Sequence, residues 1–313
     1  MSLTEIERLQ ALLPVWVESS RQLCADGKTA SYIPELAKSP LGALGIHIMD
    51  AKGHSISAGD AELSFTMQSI SKVFSLILAL MDNGETIVFD KVGMEPTGDN
   101  FNSMLKLELV QPSIPFNPLI NAGAIAISSL IAGENPSEKS NRLLEFLRLI
   151  SNNSKLSYDH DVYRSESDSA NLNRSMAYFL KDKGVLNGSV EDVLDVYFRH
   201  CSVSVNCADI AQMALVLAYN GKNPLTGEQL IPRRYVQIAK TFMITCGMYN
   251  ASGEFAIQVG LPAKSGVSGG ILSLVPGRYG IGVVGPSLNR KGNSIAGVSL
   301  LEILSREFDW SLF

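Results

Sequence analysis

Leu63-Ser64-Phe65-Thr66-Met67-Gln68-Ser69-Ile70-Ser71-Lys72-Val73-Phe74-Ser75-Leu76-Ile77-Leu78-Ala79-Leu80-Met81 changes character part-way along. Its first five residues read as a strand, and from Val73 onward the run is apolar and helical. Ser69 and Lys72 stand at the junction in S-x-x-K spacing. Residues three apart on a helix share a face, which brings the Lys72 amine within reach of the Ser69 hydroxyl. The free N–H groups and dipole of a first helical turn favour a developing anion at the same point. An alcohol needs such an activator to attack a carbonyl near neutral pH. The junction therefore reads as a serine nucleophile, with its own base, at the head of a buried helix.

Ser103 and Lys106 repeat the spacing, so the motif must be judged by its partners. Lys264-Ser265-Gly266 is the only K-[ST]-G in the chain, followed by Val267-Ser268-Gly269-Gly270 and a strand-like run to Val275. S-x-x-K early and K-[ST]-G late make a serine acyl-transfer signature. The order suits a second lysine lining an edge strand beside the nucleophile helix. The backbone N–H groups of Ser69 and Val267 would then form an oxyanion hole. The plainer reading of Lys264-Ser265-Gly266 is a turn that leads into a strand.

At 313 residues and 46% hydrophobic, the chain can bury a large core. A net charge of −5 and a pI near 5.5 argue against nucleic acid or an anionic membrane as main partner and point to a small ligand. Residues 1–8 lack a basic n-region and an apolar h-region, so the expected location is cytoplasmic. The uncharged stretch 109–133 carries Pro112, Pro115 and Pro118 and reads as a loop feeding a buried helix rather than a membrane span. Cys24, Cys201, Cys207 and Cys246 show no C-x-x-C spacing, and the four histidines are scattered. Neither a metal site nor a disulfide framework is expected.

Gly280-Ile281-Gly282-Val283-Val284-Gly285 matches G-x-G-x-x-G, but it lies inside an apolar run ended by Pro286 instead of opening a helix. It reads as a core strand. Residues 44–59 read as a hairpin, and helical periods recur near 71–82, 118–132, 137–151, 168–183, 189–199, 206–220 and 232–245. Strands are expected again at 254–260, 270–275 and 278–285, before a closing helix over 294–304. Strands from both ends can pair in one antiparallel sheet, with terminal helices on one face and the inserted helices on the other. The expectation is an α/β (α+β) three-layer sandwich in one catalytic domain. Its sheet part covers about 1–68 and 250–313, and a large helical lobe covers about 69–249.

Five strings then resemble a known family: Tyr32-Ile33-Pro34-Glu35-Leu36-Ala37, Gln68-Ser69-Ile70-Ser71-Lys72-Val73-Phe74, Phe101-Asn102-Ser103, Asn117-Pro118-Leu119-Ile120-Asn121-Ala122-Gly123-Ala124-Ile125 and Lys264-Ser265-Gly266-Val267-Ser268-Gly269-Gly270. In this order they resemble the serine-dependent glutaminases of the β-lactamase and penicillin-binding-protein superfamily, in their bacterial short form. The resemblance implies a β-lactamase/DD-peptidase-like fold and hydrolysis of L-glutamine to L-glutamate and ammonia through an acyl-enzyme on Ser69. It implies no metal or organic cofactor, and a homo-oligomer, dimer or tetramer. It carries substrate contacts to Ser69, Asn121, Glu166, Asn173, Tyr197, Tyr249 and Val267, with Tyr32 bordering the site.

Free glutamine presents an ammonium and a carboxylate, so a selective site needs an acid for one and amide or hydroxyl donors for the other. Glu166 and Asn173, seven apart, share a face if the segment is one helix; the alternative is an exposed acid in a polar turn. Asn121 points into a crevice or caps a helix. Tyr249 and Tyr197 serve the site or simply pack. The expected catalytic set is Ser69, Lys72 and Tyr249, with Lys72 kept neutral by burial and nearby positive charge. Two rivals remain: a penicillin-recognising serine hydrolase or peptidase, and a non-catalytic ligand sensor of the same fold.

Overall fold

The computed structural model describes residues 4–98, 103 and 113–313. Thr4 starts the first helix, α1 (Glu5–Arg21), with a capping box in which its hydroxyl accepts from the Glu7 N–H and the Glu7 carboxylate accepts from the Thr4 N–H. Leu9, Leu13 and Val17, four apart, form its buried stripe. Next comes the expected hairpin, β1 (Gly45–Asp50) and β2 (Ser55–Gly59). The chain returns to this sheet only near its end, as β6 (Ala263–Ser265), β7 (Gly270–Val275) and β8 (Tyr279–Val284). The strand order is β2-β1-β8-β7-β6, antiparallel throughout, with β8 paired to β1 from Gly45↔Val284 to Asp50↔Tyr279. A last helix, α11 (Ile295–Phe308), closes the chain.

Alternation along the strands serves two cores. Ile46, Ile48, Ile271, Ile281 and Val283 pack with α1 and α11, while Leu272, Leu274 and Val284 face the helical lobe. Gly280 and Gly282 fall on the lobe face of β8. A Cβ there would lie 2.0 Å from the Ala211 carbonyl oxygen and 2.1 Å from that of Cys207. The helix α8 (Cys207–Ala218) thus rests directly on the strand backbone. The G-x-G-x-x-G run is a core strand with a helix-packing role.

The lobe contains α2 (Ser71–Lys91, broken at Gly84 with φ 78°), α3 (Asn121–Leu130), α4 (Pro136–Ser151), α5 (His160–Ser169), α6 (Asn171–Asp182) and α7 (Val190–Cys201). After α8 follow α9 (Arg233–Cys246) and α10 (Ser252–Gln258). The strand expected over 63–67 is β3 (Phe65–Thr66), and it joins two strands that periodicity does not reveal, β4 (Ser157–Tyr158) and β5 (Val203–Val205), in a small sheet of order β3-β5-β4 that braces the approach to α2. Residues 113–120 lead irregularly into α3, which is buried from Asn121 to Ser128. Among the described residues no helix is long and apolar enough to cross a membrane.

Two expectations fail. Residues 254–260 are largely helix, not strand. The alternation Phe255, Ile257, Val259 suggests a strand, but Phe255 and Val259 are buried four apart while Ile257 is 89% exposed. The helix expected over 168–183 is α6, but Glu166 and Asn173 do not share one helix: Glu166 stands on α5, which periodicity does not reveal and which is separated from α6 at Ala170 (φ −85°, ψ 33°). Of the second S-x-x-K, Lys106 lies outside the described residues.

Candidate active site

Ser69 occupies a 3₁₀ turn, Gln68–Ile70, between β3 and α2. The turn is reached through Gln68 at φ 47°, a left-handed conformation that costs a non-glycine residue on the order of 1 kcal/mol. Gly266, at the end of the edge strand β6, packs against the same turn, where a Cβ would meet the Met67 carbonyl oxygen at 2.7 Å. Ser268 fastens the following loop through a 2.7 Å bond from its hydroxyl to the Thr66 carbonyl. Glycine in K-[ST]-G is therefore a close-approach requirement that seats Val267 beside Ser69.

Both motif lysines are buried. Lys72 donates to Asn121 Oδ1 (2.6 Å) and to the Leu119 carbonyl (3.3 Å) rather than to Ser69. Lys264 donates to the carbonyls of Gly247 (3.0 Å) and Ser265 (2.7 Å). Burial lowers the Lys72 pKa to about 8, against the pull of Cys201 and Glu166. Burial, with the nearby Lys72 charge adding to it, holds Lys264 well below the ordinary lysine range. Tyr249 reaches in from a 3₁₀ turn at φ 57°. Its hydroxyl donates to the Ser265 carbonyl (3.1 Å) and hydrogen-bonds the Ser69 hydroxyl. Burial raises its pKa, so the phenol stays protonated.

Opposite Ser69, an open cleft of about 540 Å³ is lined by Tyr32, Gln68, Asn121, Glu166, Asn173, Tyr197 and Val267, among others. Asn121 heads α3, accepts from Lys72 and donates from Nδ2 to Asn173 Oδ1 at 3.0 Å. Glu166 and Asn173 line the same cleft from different helices, α5 and α6. The Glu166 carboxyl is buried, not exposed in a turn, and desolvation raises its pKa to about 7. A 3.3 Å bond from Gln68 Nε2, the Lys72 charge and the Cys201 thiol oppose that rise. Tyr197 lines the same cleft, and burial, helped by the nearby Cys201 and Glu166, raises the pKa of its phenol well above the usual range. Tyr32 borders the cleft, 56% exposed.

Sequence reasoning did not assign the Gln68 amide or the Cys201 thiol to this site. Gln68 adjoins the nucleophile, a usable signal, whereas a lone buried cysteine offers none. Among the described residues no grouping of His, Cys, Asp and Glu could hold a metal ion.

A family model described as Glutaminase matches residues 27–313. The chain belongs to the glutaminase family. It is 53% identical over 307 residues to a glutaminase of Alkaliphilus metalliredigens, covering 98% of this chain and 99% of that one. The structure of a probable Bacillus subtilis glutaminase superposes with a TM-score of 0.92 at 42% identity, covering 98% of each chain. A second B. subtilis glutaminase structure is the covalent complex with 5-oxo-L-norleucine formed by reaction with 6-diazo-5-oxo-L-norleucine. It matches with a TM-score of 0.88 at 40% identity, covering 97% of this chain and 99% of that one. The glutaminase family fold here is the β-lactamase-like sandwich, an antiparallel sheet flanked by helices.

Proposed function

We propose that this chain hydrolyses L-glutamine to L-glutamate and ammonia through a glutamyl ester on Ser69. One observation carries the reading: a serine backed by two buried lysines and a tyrosine opens onto the same cleft as a buried carboxylate and two side-chain amides. Glu166 receives the substrate ammonium, whose arrival favours the ionised carboxylate. The N–H groups of Asn173 and the remaining N–H of Asn121 meet the α-carboxylate.

Lys72, with a pKa near 8, supplies the fraction of neutral amine that takes the Ser69 proton as the hydroxyl attacks the side-chain amide. The backbone N–H groups of Ser69 and Val267 hold the oxyanion. Tyr249, protonated and bonded to Ser69, returns a proton with Lys72 to the departing ammonia. Water then cleaves the ester. The covalent analogue complex of the B. subtilis relative supports a covalent route.

The whole chain acts as one catalytic domain, cytoplasmic and assembled as a dimer or tetramer. Fractionation and light scattering test these two points. The function itself is tested by ammonia release from L-glutamine and L-asparagine with Ser69→Ala as control. Turnover of glutamine, lost in the control, is the expected result. A folded protein that releases no ammonia but forms a stable adduct with a fluorescent penicillin, or binds glutamine unchanged, would overturn it.

A further inference from the structure

A second, open groove adjoins the catalytic cleft and shares two of its walls, Tyr32 and Val267. It is built from two short segments, 26–32 and 288–292. These are riveted together by paired backbone bonds, Lys28 N–H to the Leu288 carbonyl (3.1 Å) and Leu288 N–H to the Lys28 carbonyl (2.9 Å). Leu288 also belongs to a small apolar cluster with Ile33, Val267 and Tyr249. The groove floor is thereby fixed to the residues that flank Ser69. It is a pair of loops pinned to the frame of the site by one isolated bridge.

Its chemistry is cationic. Lys28, Arg290 and Lys291 line it against a single acid, Asp26. Lys291 is tied to Glu254 at 2.6 Å. Among the described residues neither Lys28 nor Arg290 has an ion-pair partner. Three cations against the one carboxylate of Asp26, two of them without an ion-pair partner among the described residues, make it attractive to an anionic group.

Position decides which anion. In the proposed pose the ammonium and α-carboxylate of the substrate are held by Glu166, Asn121 and Asn173, none of which lines the groove. The scissile carbonyl sits at Val267, which does. Val267 and Tyr32, the walls common to both hollows, give a group attached beyond the scissile nitrogen a direct path from the cleft into the groove. From this continuity we infer that the groove is a leaving-group subsite for γ-glutamyl amino acids, whose free carboxylate meets Lys28 and Arg290. The inference rests on the glutamine-hydrolase reading and extends its substrate class to γ-glutamyl peptides.

The chemistry balances without any additional reactant but water. Ser69 Oγ bonds to the γ-carbonyl carbon, the carbon–nitrogen bond of the γ-linkage breaks, and the departing amine takes the proton held by Lys72. Water cleaves the ester, giving glutamate and a free amino acid and restoring the Ser69 hydroxyl.

The test compares L-glutamine, γ-glutamylglycine and the uncharged-tail analogue γ-glutamylethylamide on the full chain and on the double variant Lys28→Ala/Arg290→Ala. Wild type should release glycine. The variant should lower kcat/KM for γ-glutamylglycine roughly tenfold, the sum of two partly exposed ion pairs. It should leave glutamine and γ-glutamylethylamide unchanged, and added NaCl should raise KM for γ-glutamylglycine alone. An enzyme that hydrolyses glutamine but releases no glycine would overturn the subsite and leave the parent function standing. A variant that lowers all three substrates equally, or none, would also overturn it. Failure on glutamine itself would remove both.

Discussion

The side-chain nitrogen of Lys264 lies 4.3 Å from the centroid of the Tyr249 ring. An amine from the edge strand β6 is thus held over the face of the phenol that hydrogen-bonds Ser69. The contact joins the late K-[ST]-G motif to the early S-x-x-K motif through a third residue. The Lys72 charge adds to burial in lowering the Lys264 pKa, so Lys72 keeps the proton for which the two lysines compete in one buried volume.

Burial and the Lys72 charge hold Lys264 well below the ordinary lysine range, so near pH 8 Lys264 is the neutral partner, and burial is what lowers Lys72. Lys264→Met should therefore leave the Lys72 pKa near about 8. If neutral Lys72 is the base, the rise of kcat with pH stays in place, while loss of the amine beside Tyr249 lowers kcat at every pH. A limb displaced to higher pH would show instead that a Lys264 charge depresses Lys72.

Ser69→Ala should leave the fold intact, because the residue packs little volume, while abolishing ammonia release by a factor on the order of 10⁴ or more. Mass spectrometry after treatment with 6-diazo-5-oxo-L-norleucine should show an adduct on the parent and none on the variant. An adduct on the variant would move the nucleophile elsewhere.

Asn121→Asp places a carboxylate beside Lys72, where the amide oxygen now accepts at 2.6 Å. The added negative charge raises the Lys72 pKa, so activity at pH 7 should drop and partly recover at higher pH. It also repels the substrate carboxylate, so KM should rise across the range. Kinetics at several pH values separate the two effects.

Burial pushes the Glu166 carboxyl up to about 7. As pH falls below 7 the carboxyl becomes neutral, and KM for glutamine should climb toward tenfold per unit. The same burial costs stability. Because the folded pKa is raised above the unfolded one, ionisation penalises the fold above about pH 7, and the penalty fades as pH drops toward 4.5. Glu166→Gln should thus be stabilised at pH 8, by on the order of 3 kcal/mol from the size of the shift, and gain nothing at pH 4. Urea melts at the two pH values check the sign.

Gly282→Ala would drive a methyl to 2.1 Å from the Cys207 carbonyl oxygen, an atom the helix α8 cannot withdraw. A loss of roughly 1–3 kcal/mol is expected, read as a lower urea midpoint with an unchanged slope. Gly277→Ala, in the β7–β8 turn at φ 69° with open space around it, should cost less, through backbone strain alone.

Period and spacing by themselves located the four strands over 44–59 and 270–285, the closing helix and the two lysine motifs. Alternation over 44–59 and 270–285 and the apolar run after Ser69 are local records of which face each residue buries. Sequence could not decide the state of residues 254–260, because Phe255, Ile257 and Val259 fit a period of two as well as a buried pair four apart. Only burial against the neighbouring core separates the two. Nor could it decide whether Glu166 faces water or a pocket, since that depends on the break at Ala170 and on Gln68, far away in the chain. The links Lys72–Asn121 and Asn121–Asn173 join residues about fifty positions apart, and Lys264–Tyr249 spans the helix α10. Their distances, and the pKa values that follow from burying charges together, arise from how elements pack. Packing is a property of the folded chain as a whole, and no local pattern records it.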